Sequence, residues 1–354
     1  MNREILKLAI PSILANITVP LVGIADIAVA GHLSGSAAIF IGGISIGSLL
    51  FDMLYWNFSF LRIGTGGMTA QAYGRDDMSA AAATLIRSVF VSMLIAISCI
   101  LIQWAFVDFV FLFVKCSPEV RALAETYFHI RIWAAPATLT LMALKGWFIG
   151  MQNSVIPMAT DLIVNGMNIA GSIILAMGLP ALGFSGIGFP GISVGTVAAQ
   201  YSGLLFAVSM LMLRYRKKVF AGFSLKDARE SFTGHEMKKF FNLNADLFIR
   251  SLAIMGIYAG ITVISARYGD MMLAVSSILV QLMMIFSYFT DGFAYAGEAL
   301  TGKFIGRRDK PAVRQTVRSV FAWSMGVAAI FMVLYAIFAR PMLYVLTTDT
   351  EVVT

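Results

Sequence analysis

Pro20-Leu-Val-Gly-Ile-Ala-Asp-Ile-Ala-Val-Ala-Gly-His-Leu33 is a near-continuous apolar run with one carboxylate, Asp26, set inside it. A bilayer core of about 30 Å takes roughly 20 apolar helical residues at about 1.5 Å each. An ionisable side chain at that depth costs roughly 2.5–3.5 kcal/mol on insertion scales. Such a residue faces a bundle interior or a wet cavity, where it binds a cation or carries a proton, or else lies near a helix end and reaches for the headgroups. The first of these readings makes Asp26 the chain's leading candidate for a cation or proton site.

Working outward from this run, nine spans are expected near 8–30, 37–62, 84–106, 123–149, 155–179, 186–213, 240–266, 272–298 and 316–338. The breaks carry turn chemistry at Ser34-Gly35, Gly74-Arg-Asp-Asp77, Ser117-Pro118, Gln152-Asn153 and Gly269-Asp270. The composition agrees: of 354 residues 59% are hydrophobic and 13% charged, half the charge of a soluble domain. Mean hydropathy is +0.83. The segment Met1–Lys7 is short and charged, and the apolar segment after it is long enough to span, so no cleavable signal peptide is read there.

The net charge of +7 gains its meaning from placement. With the N-terminus inside, eighteen of the 26 Lys and Arg residues fall on inner segments and four on outer ones. The other four, Arg62, Arg131, Lys145 and Arg250, lie within spans. That asymmetry is the positive-inside signal of a multi-pass protein with a cytoplasmic N-terminus, and it argues against nucleic acid as a partner. Pro341–Thr354 would then lie outside.

The chain also repeats itself at an offset of about 232 residues. Gly74-Arg-Asp-Asp77 returns as Gly306-Arg-Arg-Asp309, Arg87-Ser-Val-Phe90 as Arg318-Ser-Val-Phe321, Thr69 as Thr301, and Glu119-Val120 as Glu351-Val352. Six spans separate the copies, and an even number makes the repeat parallel. The fold class expected is therefore an all-α polytopic membrane protein of two six-helix bundles. The second bundle is truncated after about three helices. Residues 1–218 form the first lobe, 219–239 a basic cytoplasmic linker and 240–354 the partial second lobe. Two pseudo-symmetric bundles with a cavity between them are the architecture of alternating-access transporters.

With these features assembled, the chain resembles the multidrug and toxic compound extrusion (MATE) family, on its DinF-like branch. The resemblance is carried by Leu21–Leu33, Phe60–Gly74 and Asp291–Leu300, and also by Trp147–Pro157, Asn165–Ile169 and Gly195–Tyr201. It implies twelve spans in two lobes and export of small amphipathic, cationic solutes in exchange for protons or sodium. It further implies a cation site in the first lobe. Asp26 matches the first-span acid, Asn168 a fifth-span asparagine and Thr196 a sixth-span threonine. Where relatives often carry a second aspartate this chain has Ser172. Asn168 and Ser172, four residues apart, share a helix face, so polar ligands remain but a charge is lost. A sodium site at Asp26, Asn168 and Thr196 would have one carboxylate, whereas proton coupling needs only one titratable group. The proton is the preferred coupling ion, and no cofactor is expected. Asn168 and Thr196 could equally be hydrogen bonds between helices.

Other intramembrane residues admit two readings each. Asp52 and Trp56 either line a cavity for a substrate cation or pair between helices. Asp291 is a candidate second-lobe cation or substrate residue, with Glu298 pairing to Lys303 or Arg307. Asp246 and Arg250 have the spacing of a helix ion pair. Arg62 is expected to snorkel or to cap a neighbouring helix. Gly43-Ile-Ser-Ile-Gly47 permits close helix packing.

Gly186-Ile-Gly-Phe-Pro-Gly191 mimics a dinucleotide fingerprint, but no strand precedes it, so it reads as a loop entering the sixth span. There is no Walker A sequence, and three histidines and two cysteines give no zinc constellation. The expectation is a monomeric exporter rather than an enzyme, in the lipid bilayer of a bacterial-type inner membrane. A lipid-linked glycan flippase of related architecture and an inactive truncated transporter are the competing readings. The flippase would want a larger basic central cavity than four bases within spans supply.

Overall fold

Hydrocarbon offers no hydrogen bonds, so a chain this apolar must satisfy its backbone within helices. The computed structural model describes residues 1–33, 35–179, 183–220, 232 and 234–346. Among them the chain is helical, with a single isolated bridge between Leu179 and Phe184. The helices are α1 (Asn2–His32), α2 (Ala37–Tyr55), α3 (Phe60–Gly74), α4 (Met78–Phe111), α5 (Pro118–Arg131), α6 (Ala135–Gly150), α7 (Val155–Met177), α8 (Pro190–Tyr215), α9 (Gly234–Arg267), α10 (Asp270–Gly306) and α11 (Lys310–Leu346).

Nine segments among the described residues are long and apolar enough to cross a membrane, one for each span read from the sequence. Two of these spans are each built from a pair of helices. A 3-10 turn at Trp56–Phe58 joins α2 to α3, and another at Ile132–Ala134 joins α5 to α6. The second follows from Pro136 in the first turn of α6, which has no N–H to give to the residue one turn earlier. Pro11 leaves a similar gap inside α1. The carbonyl it frees, that of Lys7, accepts from Ser154 Oγ at 3.2 Å.

The expected linker is shorter than read, because α9 begins at Gly234 and takes in its last six residues. Residues 221–231 and 233 of that linker, and Glu351-Val352 of the repeat, lie outside the described residues. The loop at Gly186–Phe189 is a loop, with Gly186 and Gly188 at φ of +76° and +69°. Gly43 and Gly47 do bring helices together, the first facing the Leu123 side chain and the second the Tyr127 ring on α5.

The repeated tetrapeptide builds the same turn twice. Asp76 and Arg308 occupy the left-handed region at φ of 56° and 59°. Asp77 then caps α4 by accepting from Ala80 N at 2.9 Å, and Asp309 caps α11 by accepting from Ala312 N at 3.0 Å. The two copies also meet. The Cα of Gly74 lies against the backbone of Lys303, and that of Gly306 against the backbone of Gln71. Shifting Gln71 and Gly74 by the repeat offset of 232 gives Lys303 and Gly306, so this crossing of α3 and α10 is its own two-fold image.

Around this seam α1 packs on α10: Ile5, Leu8 and Ala9 bury against Phe293, Ala296, Leu300 and Phe304. Asn16 Nδ2 donates to the Tyr288 carbonyl at 3.1 Å, and Gln152 Nε2 to that of Ala299 at 2.9 Å. Farther along α1, Leu21, Ile24 and Ile27 are exposed.

The first bundle has its own core, in which Trp147 is wholly buried. Its Nε1 donates to the Ala81 carbonyl at 2.9 Å, and its ring meets Tyr215 edge-on at 5.1 Å. Trp147→Ala is expected to lower stability by about 3–5 kcal/mol through the cavity and the orphaned carbonyl. Trp104→Ala, at a ring already 62% exposed, should lie within about 0.5 kcal/mol of the parent. Thermal unfolding of both variants in nanodiscs checks the contrast.

Candidate functional site

The site is made possible by the closeness of α7 and α8. Gly195 on α8 has no side chain, and a Cβ there would stand 2.6 Å from the Ser172 nitrogen. Gly191, one turn earlier, approaches the Leu175 carbonyl in the same way. With the backbones this near, short polar side chains can bridge. Asn168 Nδ2 donates to Thr196 Oγ1 at 2.8 Å, and Thr196 Oγ1 donates to the Ile192 carbonyl at 3.1 Å.

One turn along the same face of α7, Ser172 Oγ donates to Asp26 Oδ1 of α1 at 2.9 Å. Asp26, Asn168, Ser172 and Thr196 are all buried, none more than 5% exposed. The structure thus brings the four residues together as two hydrogen-bonded pairs that share α7. Asn168 Oδ1 and Ser193 Oγ, the latter one turn before Thr196, are buried polar atoms with no hydrogen-bond partner among the described residues. Both are oxygens free to receive a proton donor or a cation.

One charge near Asp26 was not singled out from the sequence. Arg131 ends α5 at the helix break in mid-span. Its Nη1 donates to Tyr127 Oη at 2.7 Å, and its guanidinium lies 4.7 Å from the Phe51 ring centre and 5.4 Å from that of Tyr127. It interacts electrostatically with Asp26 and with Asp52, and forms no ion pair among the described residues. Spacing could not have revealed it, since Arg131 and Asp26 are 105 positions apart. The signal available was its place within a span.

Asp52 and Trp56 do not join the Asp26 group. Asp52 is exposed, with no side-chain hydrogen bond among the described residues. Trp56 is 40% exposed, and its ring meets Tyr258 of α9 at 5.5 Å, across the two bundles. Asp291 is half-buried on α10, within electrostatic reach of Arg62 and of Tyr288.

Three sequence readings are corrected. Arg62 neither snorkels nor caps. It pairs with Glu298 at 3.7 Å and lies over the Tyr295 ring at 3.9 Å. Glu298 therefore pairs with Arg62 and not with Lys303 or Arg307, while Lys303 faces Glu4 at 3.9 Å. Asp246 and Arg250 do not pair; both are exposed, where solvation competes with so small a gain. A further ion pair, Lys145 with Asp161, links α6 to α7. Among the described residues no group of three His, Cys, Asp or Glu side chains could hold a metal ion.

The MatE family model matches residues 11–174 and 247–354. DNA damage-inducible protein F of Escherichia coli (strain K12) is 32% identical over 351 residues, covering 99% of this chain and 74% of that protein. A probable multidrug resistance protein NorM of Rhizobium meliloti (strain 1021) is 23% identical over 336 residues, covering 95% of this chain and 70% of that protein. Among solved structures, a multidrug resistance MATE family transporter of the MOP superfamily in its outward-facing conformation superposes with a TM-score of 0.84 at 17% identity. That match covers 99% of this chain and 75% of the other, and it is a likeness of fold.

The Gly195 contact makes a separable prediction. Gly195→Ala should cost about 1–3 kcal/mol, because the methyl must push α8 from α7. Gly166→Ala on α7, where a Cβ meets nothing within 4 Å, should be neutral or stabilising by up to about 1 kcal/mol. Denaturation midpoints of the two variants read the difference.

Proposed function

The chain belongs to the MatE family of multidrug efflux transporters, on its DinF-like branch, and from that premise we propose that it exports small amphipathic cations in exchange for protons by alternating access. The observation that carries the reading is Asp26. It is a carboxylate buried in a membrane-spanning bundle and bonded by a neutral hydroxyl, within electrostatic reach of the Arg131 guanidinium, which cannot lose its charge.

In its ionised form Asp26 accepts from Ser172 and supplies the negative charge that holds a cation in the lobe. A proton arriving on Asp26 removes that charge and weakens the hold on the cation, which leaves toward the side then open. Substrate and proton thus compete for one group, which is the minimum that exchange requires. Sodium fits less well. Asn168 Oδ1, Thr196 Oγ1 and Asp26 supply oxygens, but only one full negative charge, and Arg131 offsets it. Tyr127 Oη holds Arg131, whose charge adds to the field around Asp26.

Trp56, Tyr258 and Asp52 offer ring faces and a carboxylate to such a cation. Asp291 on α10 lies, like Asp52, within electrostatic reach of Tyr288. The protein acts as a monomer in a bacterial inner membrane, with its N-terminus and basic segments in the cytoplasm. The supporting observations are the charge asymmetry and the placement of Arg75, Lys303 and Lys310 at one end of the bundle. One charge moving through 100 mV yields about 2.3 kcal/mol, enough with a pH gradient to drive uphill export.

The test is uptake of ethidium by inverted vesicles carrying the full-length protein, under an imposed proton gradient and then under a sodium gradient. Proton-driven uptake should fall at least about tenfold in Asp26→Asn, with no change in the amount of folded protein. Uptake that persists in this variant would remove Asp26 from the mechanism, and uptake driven by sodium alone would overturn the choice of ion.

A further inference from the structure

The seam between the bundles carries a charge pair that its packing does not need. Where α3 crosses α10 the two copies of the repeat approach through small residues: Gly74 against Lys303, Gly306 against Gln71, and Gly302 against Ala70 and Gly67. Two turns along α10 from Gly306 the symmetry fails. The repeat offset pairs Gly66 with Glu298 and Arg62 with Ala294. A symmetric seam would have a glycine and an alanine at these places; this one has a glutamate and an arginine, set against each other from opposite bundles.

Arg62 Nη1 stands 3.7 Å from Glu298 Oε2, and its guanidinium lies 3.9 Å from the Tyr295 ring centre. Glu298 Oε1 lies against the Cα of Gly66, and Gly146 lies against the Arg62 carbonyl, so both ends are enclosed. The pair is nonetheless incomplete. Arg62 Nη1 and Glu298 Oε1 are buried without a hydrogen-bond partner among the described residues. Asp291 adds a second carboxylate within reach of Arg62, and Tyr295 interacts in turn with Asp161, the partner of Lys145.

We propose that Arg62 and Glu298 are the gating pair of the seam, keeping its closed form at the basic end of the bundle weak enough to open. An ion pair whose side chains are only 18% and 19% exposed, as these are, gains little over apolar side chains of the same volume, because both charges have given up most of their water. Here that loss is not made good, since donor and acceptor atoms are left over. When the bundles part at the seam, both groups regain hydration. The pair therefore lowers the stability of the closed seam relative to an apolar one and favours opening. Losing one partner strands the other charge and shifts the balance further toward the open form. Replacing both with apolar residues does the reverse and locks the seam closed. A pair that merely glued the bundles would loosen the seam in all three cases, so the direction of the double variant separates the two roles. This inference rests on the alternating-access reading, but not on the identity of substrate or ion.

The experiment measures distance between spin labels at Arg75→Cys and Lys310→Cys, both exposed at the basic end, in the full chain with Cys99 and Cys116 replaced, in nanodiscs without substrate. Arg62→Ala and Glu298→Gln should each raise the long-distance population at least about tenfold relative to the short one. The exchanged pair, Arg62→Glu with Glu298→Arg, should return the parental distribution. Arg62→Met with Glu298→Leu should leave only the short distance and slow gradient-driven transport about tenfold. A double apolar variant that loosens as the single variants do, or distributions that match the parent throughout, would overturn the proposal. Failure of the antiport reading would show in the vesicle assay and leave these distances unchanged.

Discussion

Two backbones meet with almost nothing between them where α3 crosses α10, and the rest of the molecule is arranged around that contact. Gly74 and Gly306 are needed there because each faces the other helix's main chain, where even a methyl group would collide. The contact fixes the angle of the second bundle on the first. It also packs the first half of α1 into the core with Phe293, Leu300 and Phe304. Beyond Asn16 and its bond to Tyr288, α1 leaves that core, and Asp26 lies on this outlying half of the helix. One close approach thus separates a closely packed half from the half that carries the candidate cation-site residues. Lipid tails are as apolar as leucine, so such packing, rather than hydrophobic burial, holds the helices together.

The same solvent sets the terms for charge. Each deep ionisable group is answered differently, and the answers divide structural roles from functional ones. Lys145 and Asp161 neutralise each other within one bundle. Arg131 is met by a phenol oxygen and two ring faces, which spread its charge without cancelling it. Asp26 accepts from the Ser172 hydroxyl and lies within electrostatic reach of Arg131, with no ion pair of its own among the described residues. Arg62 and Glu298 answer each other, but across a joint that must come apart for an alternating-access cycle.

Much of this architecture was open to reading from composition and repetition. The nine spans, the turns between them and the parallel repeat come from runs of apolar residues and from a recurring tetrapeptide. These are local properties that a bilayer enforces on any chain of this kind. Asp26, Asn168, Ser172 and Thr196 could be grouped because the resemblance to the MATE family implies a cation site at those positions. The readings that failed share a cause. Arg62 was assigned to the interface by its place near a span end, and Glu298 to the nearest bases in sequence. Both errors assumed that charges seek partners close along the chain or water close by. The structure pairs them with each other over 236 positions, because the crossing of α3 and α10 shuts out water where each would otherwise have found it.

The sequence by itself determined that the chain crosses a membrane, how often within the described residues, and that its two halves share a plan. These properties rest on transfer free energy and on periodicity, which act residue by residue. It also supplied the one carboxylate of the candidate cation site. Only the tertiary structure decided which donor meets that carboxylate, that Arg131 comes within electrostatic reach of it, and which helices close on one another at the seam. Those depend on how closely α7 approaches α8 at Gly195 and α3 approaches α10 at Gly74 and Gly306, and interhelical distance is a property of two surfaces together. A glycine in a sequence marks where an approach is possible; the partner's surface settles whether it happens.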